Sequence, residues 1–173
     1  MIFRTRPGGR LLIPASNAGT AREVRCALGP AGVLAANRKR EGDGATPAGR
    51  WPMRRVLFRP DRGSAPRTSL PVQPLAPNDG WCDAPDDQNY NRPVKLPYPA
   101  SAEAMWREDG LYDLVVVLGH NDDPPVPGLG SAIFLHCARP DFAPTQGCVA
   151  LARSDLETVL GLAGAGSTLD IAG

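Results

Sequence analysis

The chain has 173 residues, enough for one domain with a sizeable core and too few for two ordinary ones, so residues 1–173 read as a single domain. Its formal net charge is +1, with acidic and basic residues spread along the sequence, which removes the electrostatic basis for binding nucleic acid or an anionic membrane. Nineteen Gly and nineteen Pro, with few long helical patterns, point to a loop-rich and strand-dominated fold whose core rests on Val, Leu, Ile and Ala.

From the N-terminus, short apolar segments are broken by Pro7-Gly8-Gly9, Asn17-Ala18-Gly19 and Gly29-Pro30. The turn rules make these a meander of strands, including Arg10 to Ile13 and Glu23 to Leu28. Met1 to Pro14 carries arginines at 4, 6 and 10 but only Leu11, Leu12 and Ile13 as a continuous apolar run, short of the apolar region of a secretory signal. No run is long enough to span a bilayer.

Lys39 to Pro52 is dense in turn formers. Glycines flank Asp43, Pro47 fixes the chain, and an apolar strand follows from Met53 to Phe58. Such a turn serves either as scaffold or as a wall of a binding cleft. Arg59 to Pro77 reads as a surface loop. Trp81 and Tyr90 in the next stretch either stack on a ligand in a groove or pin a long loop to the body.

Ser101 to Glu108 reads as a short helix, with Ser101 as its cap, abundant Ala, and Gly110 as its stop. Tyr112 to Leu118 is the clearest buried strand, because Leu114 to Leu118 is continuously apolar. It ends at Gly119-His120-Asn121, a polar pair at a strand end where substrate contacts are common. Asp122 to Gly130 is too rich in Pro and Gly for regular structure and is expected to form a mobile lip. Leu156, Val159 and Leu160 fall at helical spacing after a Ser154 cap, and a last strand covers Ser167 to Ala172.

The four cysteines, Cys26, Cys82, Cys137 and Cys148, form no C-x-x-C pair and no regular zinc spacing, so no metal or other cofactor is expected. His136 and Cys137 are adjacent on a predicted strand and point to opposite faces, which argues against a shared ion. Cys26 and Cys82 are either buried thiols or one disulfide.

The stretch from Ser131 to Leu151 carries the chemistry. Ile133, Phe134 and Leu135 form the end of a buried strand that holds His136 on a rigid support, and Cys148 sits where a loop returns to the fold before Val149 to Leu151. A thiol nucleophile needs a base within hydrogen-bond reach and N–H groups aimed at the developing oxyanion. Gly147 permits the backbone conformation that exposes such donors.

His136, the loop after it and Thr145-Gln146-Gly147-Cys148 resemble the catalytic segment of the L,D-transpeptidase family, whose catalytic domain is also called YkuD-like. Asp43-Gly44-Ala45-Thr46-Pro47-Ala48-Gly49 is similar to that family's Asp-Gly-x-Thr-Pro-x-Gly turn. Gly80 to Pro85 and Tyr90 to Val94 resemble its short, single-domain bacterial subgroup. Gln146 stands where the family usually has a second His, and His136 and Cys148 are closer in sequence than in many members.

The resemblance implies a mainly β fold with a few short helices, a β-sandwich or open barrel. It implies peptidoglycan stem peptides as substrate, acyl transfer through Cys148 with His136 as base, and the carbonyl of Cys137 steadying that base. A Cys paired with a His is expected to have its pKa lowered toward neutral. Gln146, Gly147 and Cys148 would offer oxyanion donors, while His120, Asn121, Arg139 and Thr145 would contact substrate. Arg139 could grip a carboxylate with its fork or pair with Asp141 instead.

Covalent inhibition by carbapenem-type β-lactams and work at the cell envelope or periplasm also follow from the resemblance. The competing readings are a peptidoglycan-binding module of the same fold without turnover, an L,D-carboxypeptidase that uses water as acceptor, and a redox-sensing thiol protein with Cys137 as resolving thiol.

Overall fold

Apolar residues that alternate over a few positions and then meet Gly or Pro can bury only one face of a strand, and the chain is built mostly from such pieces. The computed structural model describes residues 1–15 and 20–173, so the expected turn at Asn17-Ala18-Gly19 lies outside the described residues. The strands β1 (Ile2–Arg6), β2 (Arg10–Ile13) and β3 (Arg22–Ala27) form the expected meander. β4 (Val33–Ala35) runs parallel to the start of β5 (Thr46–Phe58), a strand of 13 residues, and β6 (Val72–Pro74) runs parallel to its end.

A small antiparallel sheet follows, made of β7 (Asp79–Cys82), β8 (Pro93–Lys95) and β9 (Ala102–Ala104) in the order β8-β7-β9. Then come β10 (Leu114–Leu118), β11 (Phe134–Cys137), β12 (Val149–Leu151), the helix α1 (Arg153–Leu162) and β13 (Thr168–Ile171). Among the described residues no helix is long and apolar enough to cross a membrane.

Two sheets face one another and share two strands. The first half of β5 pairs with β13, Gly49 opposite Ile171 and Pro52 opposite Thr168, while its second half pairs with β10. β3 does the same on the other side, pairing with β2 along its length and with β12 through Cys26 and Ala27. The ladder of pairs therefore closes on itself as a β-sandwich.

Leu114, Val116 and Leu118 point between the sheets, toward Phe3, Leu11, Leu135 and Leu169. Val115 and Val117 point outward into a second apolar cluster with Phe134, Trp81, Met105 and Tyr112, supplied by the small sheet and the chain beside it. All five residues of β10 are buried because both of its faces are covered. Each such Leu or Val contributes about 1.5–3 kcal/mol relative to exposure.

The predicted helix over Ser101 to Glu108 is absent. Ala102–Ala104 instead pairs antiparallel with β7, with Trp81 opposite Glu103 and Gly80 opposite Ala104. Two points of tertiary context override helix propensity here: β7 offers an open edge, and Met105, 1% exposed, anchors the chain in the outer cluster. The turn over Lys39 to Pro52 is shorter than expected, because strand geometry begins at Thr46. Helix α1 starts at Arg153 straight off β12, so Ser154 lies inside its first turn and makes no side-chain cap. All four cysteines are free thiols.

Candidate active site

Strand alternation decides which side chains of β11 meet solvent-side chemistry. Leu135 and Cys137 point into the core between the sheets, whereas Phe134 belongs to the outer cluster and His136 shares its face. His136 is 4% exposed, and its Nδ1 lies 2.8 Å from the carbonyl oxygen of Cys137. A carbonyl only accepts, so Nδ1 carries the ring proton and Nε2 of the neutral ring is left as the acceptor. Burial pushes the His136 pKa down to about 4.

Cys148 immediately precedes β12. Its Sγ donates to the carbonyl of Ala132 at 3.2 Å and receives the N–H of Phe134 at 3.4 Å. Burial, and next the charge of Glu103, push its pKa up to about 12. The expected lowering of the thiol pKa toward neutrality is therefore corrected: burial favours the neutral form of both the Cys148 thiol and the His136 imidazole, which share one cavity.

The loop before Cys148 is tied on itself. Thr145 Oγ1 donates to the Cys148 carbonyl at 2.7 Å and accepts the Gly147 N–H at 3.2 Å, while Thr145 N–H donates to Leu28 O at 3.0 Å. With that N–H occupied, Gly147 is not a free oxyanion donor, and the Gln146 and Cys148 N–H groups remain as candidates. Gly147 has φ +124, and a Cβ there would stand 2.7 Å from the Ala45 carbonyl oxygen. The Asp-Gly-x-Thr-Pro-x-Gly segment thus braces the loop before Cys148 from behind.

His136 and Cys148 open on one cavity of about 350 Å³. Thr145, Gln146 and Arg139 also line it. Arg139, half exposed, has Asp109 as its ion partner at 3.6 Å. Asp141 caps its own loop by accepting the N–H of Ala143, so the expected Arg139–Asp141 pair does not form.

Two residues expected to contact substrate lie outside this cavity. His120 is 4% exposed, packs edge-on to Trp51, and places Nε2 3.0 Å from Leu129 O. Asn121 holds the following loop through Val126 N–H and the carbonyls of Val126 and Gly130. Neither lines the cavity. A loop of Pro and Gly has many backbone groups to satisfy, and these two side chains satisfy them.

Trp81 and Tyr90 are buried pins as well, Trp81 through Asn91 at 2.9 Å and Tyr90 through Glu41 at 2.5 Å. Sequence reasoning missed the residues that form the polar walls, above all Glu41, Asp83, Glu103, Arg107 and Tyr112. A strand reading of Ala102–Ala104 would have turned Glu103 toward the site; the helical reading hid it.

The family model described as L,D-transpeptidase catalytic domain, YkuD, matches residues 6–171. Comparison with curated proteins and with solved structures gives no match.

Proposed function

The chain belongs to the YkuD family of L,D-transpeptidase catalytic domains, and from that premise we propose that it is a peptidoglycan L,D-transpeptidase with Cys148 as nucleophile and His136 as base. The observation that carries the reading is the contact of His136 Nδ1 with the Cys137 carbonyl, in the cavity that Cys148 also lines; it favours the tautomer that leaves Nε2 as the acceptor.

In the first step the Cys148 thiol turns from the Ala132 carbonyl, His136 Nε2 takes its proton, and sulfur attacks the carbonyl carbon of the L-centre at position three of a tetrapeptide stem. The Gln146 and Cys148 N–H groups stabilise the oxyanion; loss of one such donor typically costs about 10²- to 10³-fold in rate. Collapse expels D-Ala, whose amine takes the proton from His136, and leaves a thioester. An amine of a neighbouring stem then attacks, passing a proton to His136, and the proton returns to sulfur as the thiol leaves. A neutral resting pair suits this sequence, because the ions form only as the attack proceeds. On this reading the site of action is the cell envelope, and a carbapenem-type β-lactam would acylate the same sulfur.

The test is intact-protein mass spectrometry after mixing with a disaccharide-tetrapeptide, with free D-Ala assayed and Cys148→Ala alongside. An adduct on the wild-type protein alone, with D-Ala released and a cross-linked dimer formed, is expected. Adduct and D-Ala without dimer would assign water as acceptor and make the protein an L,D-carboxypeptidase. A folded sample with neither would favour a binding module.

A further inference from the structure

Among the described residues the hydrogen bond that orients His136 runs from Nδ1 to the carbonyl of Cys137 on its own strand. No carboxylate of the described residues grips the ring, and the second torsion of a histidine is broad and roughly two-fold, so a rotation about it would exchange Nδ1 with a ring carbon. Something beside the ring must prevent that rotation.

Tyr112 stands there. Its ring packs edge-to-face on the imidazole, with centroids 5.3 Å apart and planes at 75°. Tyr112 is itself held from three directions. Its hydroxyl donates to Glu103 Oε1 at 2.7 Å, its ring meets Phe134 edge-on at 6.0 Å, and the Arg107 guanidinium lies over it at 5.1 Å. Arg107 is in turn tied to Asp109 at 2.6 Å and lies 3.6 Å from Glu103. Phe134 continues the row of rings to Trp81, 5.1 Å away on the covering sheet. Glu103 lies on β9 of that sheet.

We propose that Tyr112 is a positioning residue for the base: anchored by Glu103 on the covering sheet, it keeps the His136 ring in the one orientation that presents Nε2 to the cavity. The inference rests on the transpeptidase reading for its kinetic consequences and on geometry alone for its structural ones. Tyr112→Phe keeps the ring and removes the anchor, and Tyr112→Leu removes the ring.

With two histidines in the chain, ¹⁵N-detected NMR resolves both imidazoles, and a His136→Gln sample assigns them. The wild type is expected to show His136 as one tautomer, protonated on Nδ1. Tyr112→Leu is expected to show averaged or doubled ring signals for His136, unchanged signals for His120, and a kcat for D-Ala release lower by about 100-fold, the loss typical of a misplaced catalytic group. KM is expected to stay within about twofold, and Tyr112→Phe, which loses the Glu103 anchor but keeps the ring, to fall between wild type and Tyr112→Leu in both kcat and His136 ring signals.

A Tyr112→Leu protein with kcat within twofold of wild type overturns the proposal. So does a loss carried by KM alone, which would make Tyr112 a substrate contact. Should Tyr112→Leu fail to fold, Tyr112→Phe decides: unchanged His136 signals together with unchanged kcat refute the anchor. Should the wild type release no D-Ala, the transpeptidase reading fails while the NMR arm still settles the positioning, since a His136 tautomer indifferent to both variants would overturn it.

Discussion

Acid should weaken this fold through His136, by an amount that follows from the site. In the unfolded chain a histidine binds its proton near pH 6.5; in the native state burial, opposed first by the hydrogen bond to the Cys137 carbonyl, reinforced by Arg107 and further opposed by Asp109, holds the pKa at about 4. As pH falls from 6.5 toward 4, the unfolded state gains a proton that the native state refuses, so stability drops across that window and stops dropping on this account below it. At about 1.36 kcal/mol per pH unit the full loss is about 3 kcal/mol, and about 2.5 kcal/mol of it is reached by pH 4.5. Asp43, Asp109 and Asp170 have pKa values below the usual range, so their titration falls largely beneath this window, whereas burial raises Glu103 toward it, in wild type and variant alike. His120 shifts in the same direction as His136 but is present in both proteins compared. Urea titrations of wild type and His136→Gln at pH 7.0 and pH 4.5 measure the difference. The variant is expected to lose about 2.5 kcal/mol less than wild type between the two conditions, whatever its stability at pH 7. Equal losses would show that the native imidazole accepts a proton as readily as the unfolded one, and the neutral-pair description of the site would be wrong.

Gly147→Ala forces an L residue to φ +124 with its Cβ 2.7 Å from the Ala45 carbonyl oxygen; a cost of about 1–3 kcal/mol is expected, seen as a lower Tm, together with a fall in turnover as the thiol moves. Unchanged Tm and turnover would refute the need for that backbone conformation. Glu103→Gln removes the charge that stands second among the causes raising the Cys148 pKa. Alkylation of Cys148 by iodoacetamide at pH 9, followed by peptide mass mapping, is expected to be faster than in wild type; a slower reaction would contradict the electrostatics.

What was legible in the sequence was whatever local pattern dictates. The five apolar residues from Leu114 could only be a strand covered on both faces, and the opposite orientations of His136 and Cys137 follow from the pleat alone. The turn before Cys148 was readable because Thr145 and Gly147 do jobs that few other residues can do. The remainder depended on partners distant in the chain. Ala102–Ala104 is a strand because β7 lies beside it, which no window around residue 103 reveals. His120 and Asn121 looked like site residues at a strand end, and only the path of the loop from Asp122 to Gly130 shows that they serve it. The pKa values of the pair were beyond reach for the same reason, since burial is a property of the whole fold.

The first and last strands are neighbours: Ile2 lies opposite Thr168 in a parallel pair, and Arg4 meets Asp170 at 3.0 Å, 166 residues away in the chain. On the ribosome β1 emerges 166 residues ahead of the partner it needs. At about 5–20 residues per second that interval is on the order of ten seconds, far longer than a hairpin needs to form. The meander of β1, β2 and β3 therefore forms early with an open edge, and the sandwich closes only when β13 emerges. Contacts of such long separation make folding slow. Until β13 emerges, the edge of β1 that it will later cover is an open template for wrong pairing.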